Sequence, residues 1–256
     1  MSALAGRVAL VTGAGRALGL GAAIARELAG AGADVFVTWC AAYDQDRGLR
    51  GDPRDPTLLL EDLRARGVRA EGMDLDLSDA SAPGGLLERV ESCLGTVDVL
   101  VNNAAHSVET PIETLDGTLL DAHYAVNVRA MALLCAEFVR RRGSRRGGRI
   151  VNLTSGQGMG PMPRELAYAA TKGAVEAFTV SLASAVAAQG ITVNAVDPGP
   201  TDTGWMSLAL RQALEEASPQ GRVGRPEDAA RLVRFLASDD AAWITGQIVR
   251  SRGGMV

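Results

Sequence analysis

Tyr168 and Lys172 stand four residues apart in LAYAATKGAV (166–175), and Lys172 is the one lysine among 26 basic residues. All the others are arginine. At that spacing on a helix the two side chains project from one face. A tyrosine near its free pKa of about 10 is a poor proton donor and a poor base at neutral pH. A neighbouring ammonium stabilises the phenolate and draws the phenol toward working range. Arginine would supply the charge, but its broad planar head does not replace a compact ammonium. The pair reads as a proton-transfer device; the bland alternative is a core tyrosine with a chance neighbour.

Such a pair needs rigid elements to hold it. Short β-branched runs at 7–12, 33–39, 68–75, 97–103, 149–155, 191–197 and 246–251 predict strands. Helical spacing runs through 22–29, 57–67, 84–95, 119–141, 167–190 and 226–238, with Gly32, Gly67, Gly95 and Gly190 where helices should stop. Strands alternating with helices predict βαβ crossovers and a parallel sheet covered on both faces. The expected fold is α/β, a Rossmann-like doubly wound parallel sheet of about seven strands, in one domain over 1–256. Residues 40–56, CAAYDQDRGLRGDPRDP, read as one long polar loop.

Composition narrows the function. A chain of 256 residues with 47% hydrophobic and 22% charged residues can bury a substantial core. A net charge of −4 argues against a general nucleic-acid or anionic-membrane binder. No apolar run approaches the roughly 20 residues that span a bilayer, and MSALAGRVALVTGAG does not read as a signal peptide. Cys40, Cys93 and Cys135 are scattered, and only His106 and His123 could add imidazole. No metal site or disulfide framework is expected, and the cytoplasm is the simplest setting. The arginine-rich stretch RRRGSRRGGR (140–149) reads as a solvated connection, or more sharply as a docking site for an acidic partner.

The first strand runs into TGAGRALGLG (12–21) and then a helix. Glycines there permit a tight turn and let a pyrophosphate approach the positive end of the helix. With this turn the chain resembles the short-chain dehydrogenase/reductase family, whose loop reads T-G-x-x-x-G-x-G. Without a gap, Ala17 replaces the middle glycine and Gly19 is the last; with two extra residues, Gly19 and Gly21 take those places, and the second alignment is preferred. The resemblance continues through nearly the whole chain. NNAA (102–105) is similar to N-N-A-G, DLSD (76–79) follows the third strand, DPGPTDT (197–203) resembles the P-G turn, and the tail ends SRGG where V-D-G-G is common. Ser155 in NLTSG lies where the family's serine precedes Y-x-x-x-K, and Asn127 in HYAVNVR matches its helix asparagine.

The resemblance implies reversible hydride transfer between a nicotinamide cofactor and a carbonyl or alcohol carbon. Tyr168 would exchange the proton, Ser155 polarise the oxygen, Lys172 tune Tyr168 and hold the nicotinamide ribose, and Asn127 support Lys172 through a water chain. Cofactor contacts are expected from Gly13, Gly15, Arg16, Gly19, Leu20, Gly21, Trp39, Asp76, Leu77, Asn103, Ala104, Ala105, Tyr168, Lys172, Pro198, Gly199, Thr201 and Thr203. For the Asn102–Asn103 pair, tying strand ends together is the structural alternative. At the end of the second strand, where an acidic residue would bind the ribose 2′-hydroxyl of NAD, stands Trp39. That favours NADP(H), with Arg16, Arg47 or Arg50 for the 2′-phosphate. Asp44 and Asp46 keep NAD(H) open. A helical lid near 203–220 would cover the substrate, with Trp205 on one side and His106, Gln157 and Met159 on the other; packing of lid on body is the alternative. 3-Oxoacyl carrier-protein reductases are similar members, so the 140–149 arginines could meet an acidic acyl carrier protein. The family likeness also suggests a homotetramer through the helices at 119–141 and 167–190. A dinucleotide-binding sensor without turnover is the competing class.

Overall fold

Alternation of inward and outward residues along each strand buries both faces of a single sheet. The structure, a computed structural model, describes residues 2–48 and 51–255. Its strands are β1 (Val8–Val11), β2 (Asp34–Trp39), β3 (Ala70–Asp74), β4 (Val99–Asn102), β5 (Gly148–Leu153), β6 (Ile191–Asp197) and β7 (Ile248–Arg250). All pair in parallel, in the order β3-β2-β1-β4-β5-β6-β7. The helices are α1 (Leu20–Gly30), α2 (Ala41–Asp46), α3 (Asp55–Ala65), α4 (Ala82–Cys93), α5 (Gly117–Tyr124), α6 (Met131–Arg142), α7 (Leu166–Val186), α8 (Leu208–Ala217) and α9 (Pro226–Ala237). Ala9 and Val11 of β1 face a layer built by Ile24 and Leu28 of α1, Leu59 and Leu63 of α3, and Val233 and Leu236 of α9. Val8 and Leu10 face the opposite layer, with Leu86, Leu87 and Val90 of α4, Leu134 and Phe138 of α6, and Val175 and Val186 of α7. This is the doubly wound Rossmann-like arrangement expected from the strand–helix alternation. The chain reverses its direction of growth between β1 and β4, and the crevice beyond the carboxyl ends of those strands is where such sheets bind ligands.

Two elements depart from the expectation. The polar stretch 40–56 is not all loop: residues 41–46 form α2, a short helix with no buried residue. The helical pattern at 119–141 is interrupted by a π-helical segment, Ala125–Ala130, between α5 and α6. A wider turn of this kind re-aims side chains and is common where helices carry functional groups. Among the described residues no helix is long and apolar enough to cross a membrane.

The arginines of 140–149 are largely used inside the protein. Arg141 pairs with Glu91 at 2.7 Å and Arg149 with Asp239 at 3.1 Å. Arg142, 4% exposed, pairs with Asp98 at 3.0 Å, donates to Val97 O and lies over the Phe138 ring. The run also connects α6 to the beginning of β5, at the end of the sheet opposite the crevice. Arg141, Arg142 and Arg149 thus clamp α6 and β5 to the body, while Arg140, Arg145 and Arg146 face outward. Arg142→Ala should lower stability by about 1–3 kcal/mol, since Val97 O loses its buried donor while Asp98 keeps Arg145 at 3.4 Å, whereas exposed Arg140→Ala should stay within about 0.5 kcal/mol. Urea denaturation of the two variants measures the difference.

Candidate active site

The glycine turn is built around Thr12. Its hydroxyl accepts from the backbone N–H groups of Asn103 at 3.1 Å and Ala104 at 3.0 Å. Asn103 Nδ2 returns to Thr12 O at 2.8 Å and Gly13 O at 2.9 Å. Asn102 lies opposite Asn152 in the β4–β5 register and donates to it at 2.8 Å, and Asn152 donates to Thr179 on α7 at 2.9 Å. The asparagine pair thus ties strand ends together, while Asn103 also borders the cleft. Gly13 has φ 72°, and a Cβ there would fall 2.7 Å from Ala104 Cα. The two extra residues form a turn closed by Gly19 N–H donating to Arg16 O at 2.9 Å. Asp55, at the start of α3, accepts from Ala17 N at 2.9 Å and anchors that turn. Helix α1 begins at Leu20, so its free N–H groups open onto the crevice. Gly21 lies within the first turn of α1, where a Cβ would overlap Gly13 O and stand 2.7 Å from Asn103 Nδ2. Its place is that of a close-packing glycine, and it does not reach the cleft wall.

A cleft of about 1190 Å³ runs along the carboxyl ends of the strands. At one end lie Gly13, Gly15, Arg16, Gly19, Leu20, Trp39, Asp76, Leu77, Asn103, Ala104 and Ala105. At the other lie Ser155, Tyr168, Lys172, Pro198, Gly199, Thr201 and Thr203, with His106, Met159 and Trp205. An elongated space of this size, with small residues against a helix N-terminus, suits a dinucleotide. Trp39 ends β2 as expected, but α2 brings Asp44 beside it. A Cβ on Gly15 would fall 2.8 Å from Trp39 Cβ and 2.9 Å from Asp44 Oδ2. Arg16 Nε is 3.8 Å from Asp44 Oδ1, and Arg16 Nη1 donates to Thr203 O at 3.0 Å. Burial raises the Asp44 carboxyl pKa, while the nearby Arg16 charge opposes the rise. Arg47 also borders this end; Arg50 lies outside the described residues.

At the reacting end, α7 starts just after the loop that follows β5. Lys172 is buried and its Nζ donates to Leu153 O at 2.7 Å, the last residue of β5. Burial lowers the ammonium pKa to about 8. The nitrogen lies 5.4 Å from the Tyr168 ring centroid. Lysine has three donors; one is used among the described residues, leaving two for groups in the cleft. Burial raises the Tyr168 phenol pKa, the Ser155 hydrogen bond pulls it back, and Glu165, Tyr43 and Asp197 push it up further. Ser155 extends from β5 at φ −154° onto the cleft wall. His106 stacks between Tyr43 at 5.4 Å and His123 at 4.7 Å; burial first, then the His123 and Arg47 charges, lower its pKa.

Besides Gly21, two expected residues do not reach the cleft wall. Asn127 sits in the π-helical segment, 3% exposed. Its Nδ2 donates to His106 O at 2.9 Å and Thr171 Oγ1 at 3.0 Å, and its Oδ1 accepts from His106 N at 2.7 Å. Both amide donors are therefore committed to protein atoms. Gln157, expected on the substrate side, turns its amide to Glu176 Oε1 at 2.7 Å and Thr154 Oγ1 at 3.3 Å. Charge attraction to the α7 carboxylate takes it off the wall. Asp44, expected only as a possible ligand of NAD(H), borders the cleft, and Tyr43, whose hydroxyl accepts from Ser107 N at 3.0 Å, Asp55 and Arg252 shape the site without having been expected there. Tyr43 and Asp44 lie in a segment with no periodic pattern, and the partners of Asp55 and Arg252 are remote in sequence.

The family profile described as Enoyl-(Acyl carrier protein) reductase matches residues 13–256. An uncharacterized oxidoreductase, YjdA, of Bacillus subtilis (strain 168) is 47% identical over 98% of this chain and 97% of its own length. The 3-oxoacyl-[acyl-carrier-protein] reductase FabG of Pseudomonas aeruginosa is 37% identical, covering 98% of each chain. Among solved structures, a blue fluorescent protein from a metagenomic library in complex with NADPH superposes with a TM-score of 0.87 at 32% identity over 99% of each chain. The chain belongs to the short-chain dehydrogenase/reductase family and is an oxidoreductase of that family.

Two outcomes follow from this packing. Gly21→Ala should lower stability by about 1–3 kcal/mol through overpacking against Gly13 O, as read by urea denaturation. For Lys172 the depressed pKa means that the folded state bears the cost of a buried charge below pH 8 and sheds it as pH rises toward the free lysine value. Lys172→Met should therefore raise stability at pH 7 by up to about 3 kcal/mol. That gain should shrink through the alkaline range, as followed by thermal denaturation at several pH values.

Proposed function

We propose that this chain is an NADP(H)-dependent carbonyl reductase acting on a ketone or 3-oxoacyl substrate. The observation that carries the reading is the convergence of Ser155, Tyr168 and the buried Lys172 on the cleft whose other end is the glycine turn of α1. A nicotinamide dinucleotide bound there supplies the hydride for carbonyl reduction. The Ser155 hydroxyl donates to the substrate oxygen and holds it beside Tyr168. Tyr168 O–H passes its proton to that oxygen as negative charge develops on it. The Lys172 ammonium stabilises the phenolate left behind, and its free N–H donors suit the hydroxyls of a ribose. Asn127 acts from behind the wall, holding the His106 backbone and the Thr171 hydroxyl next to Lys172. Residues 203–220 serve as a lid: Trp205, Leu210 and Leu214 face the cleft opposite Met159 and Met162, which suits an apolar substrate body.

Arg16 and Arg47 at the adenosine end support NADP(H), as does the NADPH in a structural relative. The Asp44 carboxylate beside Trp39 favours a second reading, NAD(H), in which it accepts from the ribose hydroxyls. The same family reading makes the chain a homotetramer in the cytoplasm, with exposed Tyr124 and Val180 on the interface helices; light scattering of the purified protein tests the assembly. If an acyl carrier protein is the donor of the substrate, it approaches at the cleft mouth rather than at the 140–149 arginines.

The test is turnover of cyclohexanone and acetoacetyl-coenzyme A with NADPH and with NADH. Tyr168→Phe should lower kcat about a thousandfold and Ser155→Ala about a hundredfold, while NADPH binding is retained. Full turnover by Tyr168→Phe would remove the proton-transfer role. Asp44→Asn should tighten NADPH binding about tenfold, a change of about 1.4 kcal/mol, and leave NADH nearly unaffected. Loss of NADH binding in that variant, with wild-type preference for NADH, would favour the second reading.

A further inference from the structure

Arg252 has no part in the proton transfer just described, yet it lies beneath the reacting end of the cleft. It follows β7, in the S-R-G-G tail that stands where V-D-G-G is common. Its Nη1 pairs with Asp197 Oδ2 at 3.0 Å, and Asp197 Oδ1 accepts from Gly199 N at 2.8 Å. The two side chains are 14% and 2% exposed. An aspartate at 252 would face Asp197 with like charge, so arginine there is complementary to the residue that ends β6.

The contacts reach both turns of the reacting end. The Arg252 stem fills the space that a side chain on Gly199 would need: a Cβ there would fall 2.9 Å from Arg252 Cγ, and Gly199 has φ 65°. The guanidinium head lies against Gly156, where a Cβ would overlap Nη1. One side chain therefore touches the turn that follows Ser155 and the turn that carries Pro198 and Gly199. Its Nε is buried without a hydrogen-bond partner. A buried ion pair with an unmet donor is a poor means of gaining stability compared with apolar packing, so the charge at this place calls for another use.

We propose that Arg252 is a positioning residue of the reaction, which joins the Ser155–Gly156 and Pro198–Gly199 turns across the end of β6 and so fixes where Ser155 and the Pro198–Gly199 backbone stand in the cleft. This rests on Tyr168 being the proton-transfer group. The titratable and charged groups around that phenol are Lys172 from α7, Glu165 just before it, Tyr43 from α2, His106 after β4, Asp197 from β6 and Arg252 from the tail. Asp197 opposes the phenolate, and Arg252 is the cation paired with it. Arg252 also borders the cleft, so the tail forms part of the wall that holds the two turns together.

The experiment is steady-state turnover of cyclohexanone and acetoacetyl-coenzyme A with NADPH by the full-length protein and its Arg252→Met, Arg252→Lys and Asp197→Asn variants. Arg252→Met should lower kcat about tenfold and leave NADPH binding, read by fluorescence titration, within about twofold. Arg252→Lys keeps the charge and most of the stem and should recover most of that loss. Asp197→Asn keeps the side-chain shape, loosens the same ion pair, and should lower kcat even if Arg252→Met fails to fold. A purely structural arginine would lower Tm and leave kcat per folded enzyme in place; unchanged kcat in both Arg252→Met and Asp197→Asn overturns the proposal. Failure of the reductase reading shows instead as full turnover by Tyr168→Phe or none by the wild type, so the two failures are distinguishable.

Discussion

An ammonium taken out of water must find hydrogen bonds or surrender its proton, and Lys172 lives under that constraint. Its anchor is a backbone carbonyl, Leu153 O, at the carboxyl end of β5. That carbonyl is available because β5 stops there and the chain turns away through Thr154 and Ser155. The strand end, the serine and the lysine are therefore one geometric unit. The 21-residue helix α7 carries the tyrosine one turn before the lysine and sets the distance between ammonium and phenol. A guanidinium would bring a wide fork of donors into a space with one protein acceptor, which accounts physically for a single lysine in a chain that otherwise uses arginine.

Polar groups beneath the site hold it in place as firmly as the apolar layers do. Thr12, Asn102, Asn103 and Asn152 form a chain of hydrogen bonds across the ends of β1, β4 and β5, and Thr179 extends it to α7. Most of their buried polar atoms find partners, Asn102 Oδ1 being the exception, and these bonds hold the register in which the glycine turn and Ser155 face one crevice. The π-helical segment belongs to the same scaffold. By widening the helix at Asn127 it lets one amide grip the His106 backbone and the hydroxyl beside Lys172 together. Asn127 thus joins the loop after β4 to α7, the two walls between which a substrate would lie.

Charge is arranged differently at the two ends of the cleft. At the glycine-turn end Arg16 and Asp44 stand 3.8 Å apart, a loose and partly exposed pair. At the reacting end Arg252 and Asp197 are close and buried, and little there can relax without disturbing the turns they join. Recognition can thus be adjusted at one end by small side-chain motions, while the other end stays rigid enough for a proton to pass between fixed atoms.

Much of this was legible in the residues themselves. Strand and helix periods, glycines at helix ends and the turn at 12–21 determine a doubly wound sheet, because each pattern is local and repeats along the chain. The serine, tyrosine and lysine could be read because their spacing is that of one strand end and one helix face. Residues 40–56 read as loop because a six-residue helix with no buried face has no periodic pattern to display. Gln157 was expected on the substrate wall, but a carboxylate on α7, remote in sequence, attracts it elsewhere. Asn127, Asp55 and Arg252 likewise depend on partners that only folding brings near. The sequence by itself determined the order of the elements and the types of the reacting groups. The tertiary structure decided which hydrogen bonds and counter-ions each group keeps, because desolvation and charge pairing depend on distance through space and not on position along the chain.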